Sequence, residues 1–154
     1  MLSATGVGIG AGAVMLAALA FASIARGDGA AVPLHFMASV VLGASALTTS
    51  ALESLLIGSL VNIAISALDG WLYANVIARL PASLTSSWPR VVGAGLAFGA
   101  ALYVVSLQLV ARVALPWMLE AHQLDWFVAN TFVFGPVLAV MYELGVRRER
   151  ARVG

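Results

Sequence analysis

Leu34-His35-Phe36-Met37-Ala38-Ser39-Val40-Val41-Leu42-Gly43-Ala44-Ser45-Ala46-Leu47-Thr48-Thr49 is the stretch on which the topology turns. It holds 16 residues, apolar but seeded with Ser, Thr and Gly. A helix needs about 20 apolar residues to cross about 30 Å of hydrocarbon. The stretch is short for a crossing. If it crosses, the chain has five spans. If it lies at one membrane face, interfacial or re-entrant, the chain has four.

The flanking runs meet the length requirement. One covers 4–25 and is ended by Arg26-Gly27-Asp28-Gly29. A second covers 52–78. A third covers 91–111, bounded by Arg90 and Arg112. The last covers 126–145, between Asp125 and an Arg-rich tail. The expected fold is therefore an all-α, polytopic transmembrane helix bundle. It has four spans plus an interfacial or re-entrant helix at 34–49, with five spans as the alternative. No positive charge precedes Arg26, and secretory signals open on one. The first run reads as a retained helix.

Composition agrees. Of 154 residues 62% are hydrophobic and 10% charged, against roughly a quarter charged in soluble domains. Mean hydropathy is +1.00. A soluble domain of this size could not cover its surface with so few charges, and nothing here suits nucleic acid. There is no Cys, so thiol chemistry and Cys-ligated metals are excluded. Two histidines, His35 and His122, cannot build a multi-His metal site within one chain.

The whole chain, 1–154, reads as a single membrane-embedded domain with a hint of duplication. Gly10-Ala11-Gly12 and Ala17-Ala18-Leu19 recur 83 residues on as Gly93-Ala94-Gly95 and Ala100-Ala101-Leu102, and Pro33 recurs as Pro116. That pattern suggests two helical hairpins, about 5–80 and 88–146, the first carrying 34–49 as an insertion. All eight basic residues are Arg. Four spans place six of them (Arg79, Arg90, Arg147, Arg148, Arg150 and Arg152) on one side and Arg26 and Arg112 on the other. In that arrangement the positive-inside rule puts both termini in the cytoplasm of a bacterial inner-membrane protein. Five spans satisfy the rule at least as well, with Arg26 inside and the N-terminus out, so charge does not choose between them; segment length and the repeat favour four. Trp71, Tyr73, Trp88, Trp117, Trp126 and Tyr142 fall near span ends, as interfacial anchors do.

The most informative chemical feature is a stripe on the second span. Ser59, Asn62, Ser66, Asp69 and Tyr73 are spaced 3, 4, 3 and 4, which puts them on one helix face. Such a face cannot point at lipid without cost. Asp69 lies about 6 Å from the middle of its span, and an intramembrane carboxylate is a functional candidate by default. It could be interhelical glue, a subunit contact or part of a transport path. Ser106, Gln108, Asn130 and Thr131 could meet this stripe across the bundle. Glu53 opens the second span, where an acid complements the helix dipole.

Gly6, Gly8, Gly10 and Gly12 superficially resemble a phosphate-binding loop, but no strand precedes them and no acidic ribose partner follows. With Gly95 and Gly99 they read as close helix-packing positions. His35 could ligate a pigment or haem, or simply pack; His122 reads as a loop residue. No catalytic residues and no metal site are read, and no cofactor is required, although pigment, quinone or lipid could bind.

Two stretches carry a resemblance, Gly58-Ser59-Leu60-Val61-Asn62-Ile63-Ala64-Ile65-Ser66-Ala67-Leu68-Asp69-Gly70 and Phe127-Val128-Ala129-Asn130-Thr131-Phe132-Val133-Phe134-Gly135. Through them, residues 5–143 resemble a diffuse group of small, uncharacterised bacterial four-helix integral membrane proteins. In that group both Asn positions are commonly His and the position of Asp69 is commonly aromatic. Asn62 and Asn130 depart from the pattern, so a ligand role for that His pair would be lost here. The resemblance implies a four-helix fold and no known activity.

With little mass outside the bilayer, the expected role is non-catalytic. The chain reads as an accessory or scaffolding subunit of a larger inner-membrane complex, a bioenergetic or photosynthetic one being a candidate host. Its expected partners are the lipid bilayer, other membrane subunits or further copies of itself. The alternative is a small oligomeric transporter or channel that uses the stripe as its path.

Overall fold

A computed structural model describes residues 3–48, 51–120 and 122–153. It is 89% helical, with no strand among the described residues. Four helices are long and apolar enough to cross a membrane: α1 (Ala4–Ala25), α3 (Leu52–Ile77), α4 (Trp88–Ala114) and α5 (Gln123–Val146). The helix of α5 runs on to Val153.

The deciding stretch is not among the helices long enough to cross. It forms α2 (Val32–Leu42) and a 3-10 turn (Gly43–Thr48). Gly43 ends α2 at φ 73°, a conformation that only glycine adopts without strain. The chain then folds back until the Ala46 carbonyl lies 3.0 Å from Nδ1 of His35. Phe36, Met37, Ala38 and Ser39 are buried, and the unit packs on α3. Thr49, the last residue of the stretch, and Ser50 lie outside the described residues.

The helix ends have local causes. The Ser3 hydroxyl accepts from the Gly6 N–H at 3.1 Å and caps α1. At the far end Gly27 takes φ 88°, and the Asp28 N–H donates to the Ser23 carbonyl at 2.9 Å. That is a Schellman stop, and it satisfies carbonyls that the helix leaves open. Pro89 sits in the first turn of α4, where its missing N–H costs nothing.

α4 and α5 extend past the expected boundaries of 91–111 and 126–145. The helices run through Arg90, Arg112 and Asp125, which bound the apolar runs, because a long Arg side chain can leave the hydrocarbon while its backbone stays helical and an acid in a first turn complements the helix dipole. Each helix also carries a π-helical stretch, Val104–Val110 in α4 and Ala129–Phe134 in α5.

α1 is the central helix. One face packs on α3 and another on α5, and α5 packs on α4. Val7, Ala11, Met15 and Leu19 recur every fourth residue as its buried row. α3 is an edge helix: Leu52, Leu55, Leu56, Leu60, Ile63 and Leu68 are exposed, an arrangement suited to lipid rather than water.

Four crossings place Gly29 and Ser87, both exposed, on opposite faces; five would place them on the same face. Introduced as single cysteines in a chain with no native Cys, Gly29→Cys and Ser87→Cys are expected to label from opposite sides of sealed vesicles. Labelling from the same side would overturn the four-span fold.

Candidate functional site

The polar stripe of α3 is divided by its contacts. Asn62 is 5% exposed, Ser66 2% and Tyr73 2%. Ser59 and Asp69 are half-buried. The cause is the glycine face of α1. A methyl added at Gly12 would come within 2.6 Å of the Ser66 Cβ, and one added at Gly8 within 2.8 Å of the Gly70 Cα. Those separations hold only because neither residue has a side chain, and they seal Asn62 and Ser66 into a helix–helix seam.

Gly95 and Gly99 of α4 pack in the same way on α5. Added methyls there would come within 2.8 Å of the Ala139 Cβ and 3.1 Å of the Thr131 Cα. Gly10 faces the Met141 side chain of α5 instead. Gly6 is half-buried in the first turns of α1, where its N–H takes the Ser3 cap.

Asp69 is the carboxyl of the stripe and, unlike Asn62, Ser66 and Tyr73, is only half-buried. Among the described residues no hydrogen bond or ion pair reaches it, and the ion pairs lie elsewhere. It is a carboxyl inside a span, half-covered by its own bundle and without an internal partner.

Tyr73 leaves the stripe in a different direction. Its ring meets Phe98 of α4 edge-on at 5.1 Å and Tyr142 of α5 at 5.6 Å. Tyr73 and Trp126, read from sequence as interfacial anchors, are core residues: Trp126 is 7% exposed and stacks on Phe36 at 5.1 Å. Trp71 and Trp88 do remain exposed. Proximity to a span end does not say whether a ring faces lipid or a neighbouring helix.

Sequence reading passed over Glu143, which is 9% exposed and lies within electrostatic reach of the Tyr73 phenol. The available signal was its place as an acid before the end of an apolar run.

The polar residues of α4 and α5 do not meet the stripe, which corrects the expectation for Ser106, Gln108, Asn130 and Thr131. Ser106 is exposed. Gln108 donates to the Tyr103 hydroxyl at 2.9 Å and to the Gln123 side-chain oxygen at 3.3 Å, and it accepts from Arg112 at 3.0 Å. Asn130 donates to the Trp126 carbonyl of its own helix at 2.8 Å. Thr131 Oγ1 and Trp117 Nε1 are buried without a partner among the described residues. The reason is the helix order. α1 stands next to α3, and α4 and α5 face α3 only around Tyr73.

His35 clamps α2 to α3. Its Nδ1 lies 2.7 Å from the Ser54 hydroxyl and 3.0 Å from the Ala46 carbonyl. One tautomer donates to Ala46; in the other Ser54 donates to the ring. His122 is an exposed loop residue. Glu53 is exposed in the first turn of α3.

A second polar centre lies at the end of the bundle that carries α2, away from Asp69 and Tyr73. Arg26 follows α1 and pairs with Asp28 at 3.2 Å and with Asp125 in the first turn of α5. A cavity of about 270 Å³ lies beside it, lined in part by Trp117, Glu120, His122 and Trp126. Among the described residues no group of three or more His, Asp or Glu converges as a metal site would require.

Fold and site together define a polytopic membrane helix bundle whose polar groups are mostly spent on helix contacts. No family model, no curated protein and no solved structure matches the chain.

Proposed function

We propose that the chain is a non-catalytic accessory or scaffolding subunit of a larger assembly in a bacterial inner membrane, its C-terminus cytoplasmic. The observation that carries this reading is Asp69. It is the carboxyl of the stripe, half-buried on an edge helix with no hydrogen bond or ion pair among the described residues, and an intramembrane carboxylate calls for a partner. A polar or basic group from a neighbouring subunit would supply it. The resemblance to small bacterial four-helix membrane proteins fits the bundle and implies no activity.

The transporter reading requires the stripe to be wet along its length. Burial of Asn62 and Ser66 against glycine backbone supports glue instead. If the stripe did conduct, Asp69→Asn would abolish transport.

Native mass spectrometry of the protein, extracted gently from its source membrane, tests the reading. The expected result is a mass well above a small multiple of 15.9 kDa, with other polypeptides attached. A bare monomer or homo-oligomer would overturn it and bring the transporter forward.

A further inference from the structure

A groove of about 710 Å³ runs between α3 and α4. The two helices do not pack along their length, and the Tyr73–Phe98 contact closes the space between them. Leu72, Val76 and Ile77 of α3, with Leu80 just beyond its end, form one wall. The α4 wall is recessed, because Gly93, Ala94, Ala97 and Ala101 line it. Nothing lies within 4 Å of a methyl added at Gly93. Arg90 is the charged lining residue and stands at the groove's end, by the first turn of α4. Its Nη1 donates to the Ser83 carbonyl and the Ser86 hydroxyl, each at 2.8 Å, which holds the guanidinium in place.

We propose that this groove seats an acyl chain of one anionic phospholipid, with the lipid phosphate at Arg90.

The lining and its charge choose the occupant. At about 1.5 Å per residue the α4 wall, Arg90 to Val105, is about 22 Å long. Beyond Arg90 the lining is almost wholly apolar and open along one side, so a hydrocarbon chain can lie in it. The groove starts at the membrane face and runs inward by about the depth of one leaflet, half of about 30 Å. Its walls offer an apolar ligand contact all the way down. Its single cation at the face matches a phosphate, which a guanidinium can grip with two parallel hydrogen bonds. A quinone would leave that cation without a counterpart, and in a zwitterionic phospholipid the headgroup's own cation competes with Arg90 for the phosphate, which an anionic phospholipid offers without competition. The site does not depend on whether the chain has companion subunits.

The test uses the full chain, stripped of lipid and reconstituted with equal amounts of phosphatidylglycerol and phosphatidylcholine. It is then re-extracted in mild detergent, and the lipid retained per chain is counted by native mass spectrometry. Wild type is expected to hold one phosphatidylglycerol. Ala97→Phe, which fills the groove, is expected to lose retained lipid several-fold at unchanged helix content. Ala101→Leu serves the same purpose deeper in the groove if Ala97→Phe does not fold. Arg90→Gln is expected to lower the preference for phosphatidylglycerol about five-fold, as loss of one basic contact near the membrane surface should. No retained lipid in wild type, retention unchanged in both filled variants, or a headgroup preference unaffected by Arg90→Gln would each overturn the site.

Discussion

Gly12→Ile is expected to pull α1 off α3 and destabilise the bundle by about 3 kcal/mol, the upper part of the usual range for overpacking. At Gly12 even a methyl group would sit 2.6 Å from the Ser66 Cβ, and the four carbons of Ile have no void to enter. Neither side can yield easily, because α1 is also held on its other face by α5. In a bilayer, helices associate chiefly by close packing and interhelical hydrogen bonds, since lipid tails are as apolar as the side chains they replace. Loss of close approach therefore removes most of what holds the pair. Gly93→Ala provides the control. It has no neighbour within 4 Å and replaces a poor helix former by a good one, a gain of up to about 1 kcal/mol. Unfolding midpoints in a mixed-micelle titration should fall for Gly12→Ile and stay level or rise for Gly93→Ala. Equal midpoints for Gly12→Ile and wild type would refute the seam.

The spans were legible because they rest on a single physical quantity, the length of apolar chain between charges. The 34–49 stretch was legible for the same reason: 16 residues are too few. What length could not show was how the stretch ends, with Gly43 in a positive-φ turn and Ala46 returned to His35. That closure depends on atoms far apart in sequence. The π-helical stretches at Val104–Val110 and Ala129–Phe134 have no periodic signature in so apolar a chain. They shift the faces of α4 and α5, which is one reason Gln108 and Asn130 point elsewhere than a regular helix would suggest.

The site was legible in part. The spacing of Ser59, Asn62, Ser66, Asp69 and Tyr73 placed them on one face of a regular helix, and the fold divides that face: Asn62 and Ser66 meet α1, whereas Tyr73 meets Phe98 and Tyr142. Spacing could not say which of them α1 would cover. That was decided by Gly8 and Gly12, whose backbones sit on Ser66 and Gly70. The helix order was likewise out of reach. Knowing that α4 and α5 are polar in places does not reveal that α1 stands between them and most of α3. Glu143 escaped because it lies near a span end, where an acid looks ordinary. Its burial comes from the neighbouring helices and not from its own segment.

Asp69→Leu is expected to act in opposite directions on the chain and on its assembly. On an insertion scale an Asp at the centre of a span costs about 3 kcal/mol, whereas Leu is favourable by about 0.5 kcal/mol. Asp69 is off-centre and half-buried, so the gain in the isolated chain should be smaller, about 2 kcal/mol. No internal hydrogen bond or ion pair among the described residues is lost, because none reaches it. If the carboxyl exists to meet a group on another subunit, the same change leaves that group facing a methyl surface inside the bilayer, and the companion polypeptides should be lost from a gentle extract. Asp69→Asn keeps hydrogen-bonding capacity and should retain part of the assembly. The two readouts separate the alternatives. A stabilised chain with its assembly intact would mean that Asp69 contacts no subunit. A destabilised chain would mean that the carboxyl has a role within its own bundle, such as ordering water beside α3.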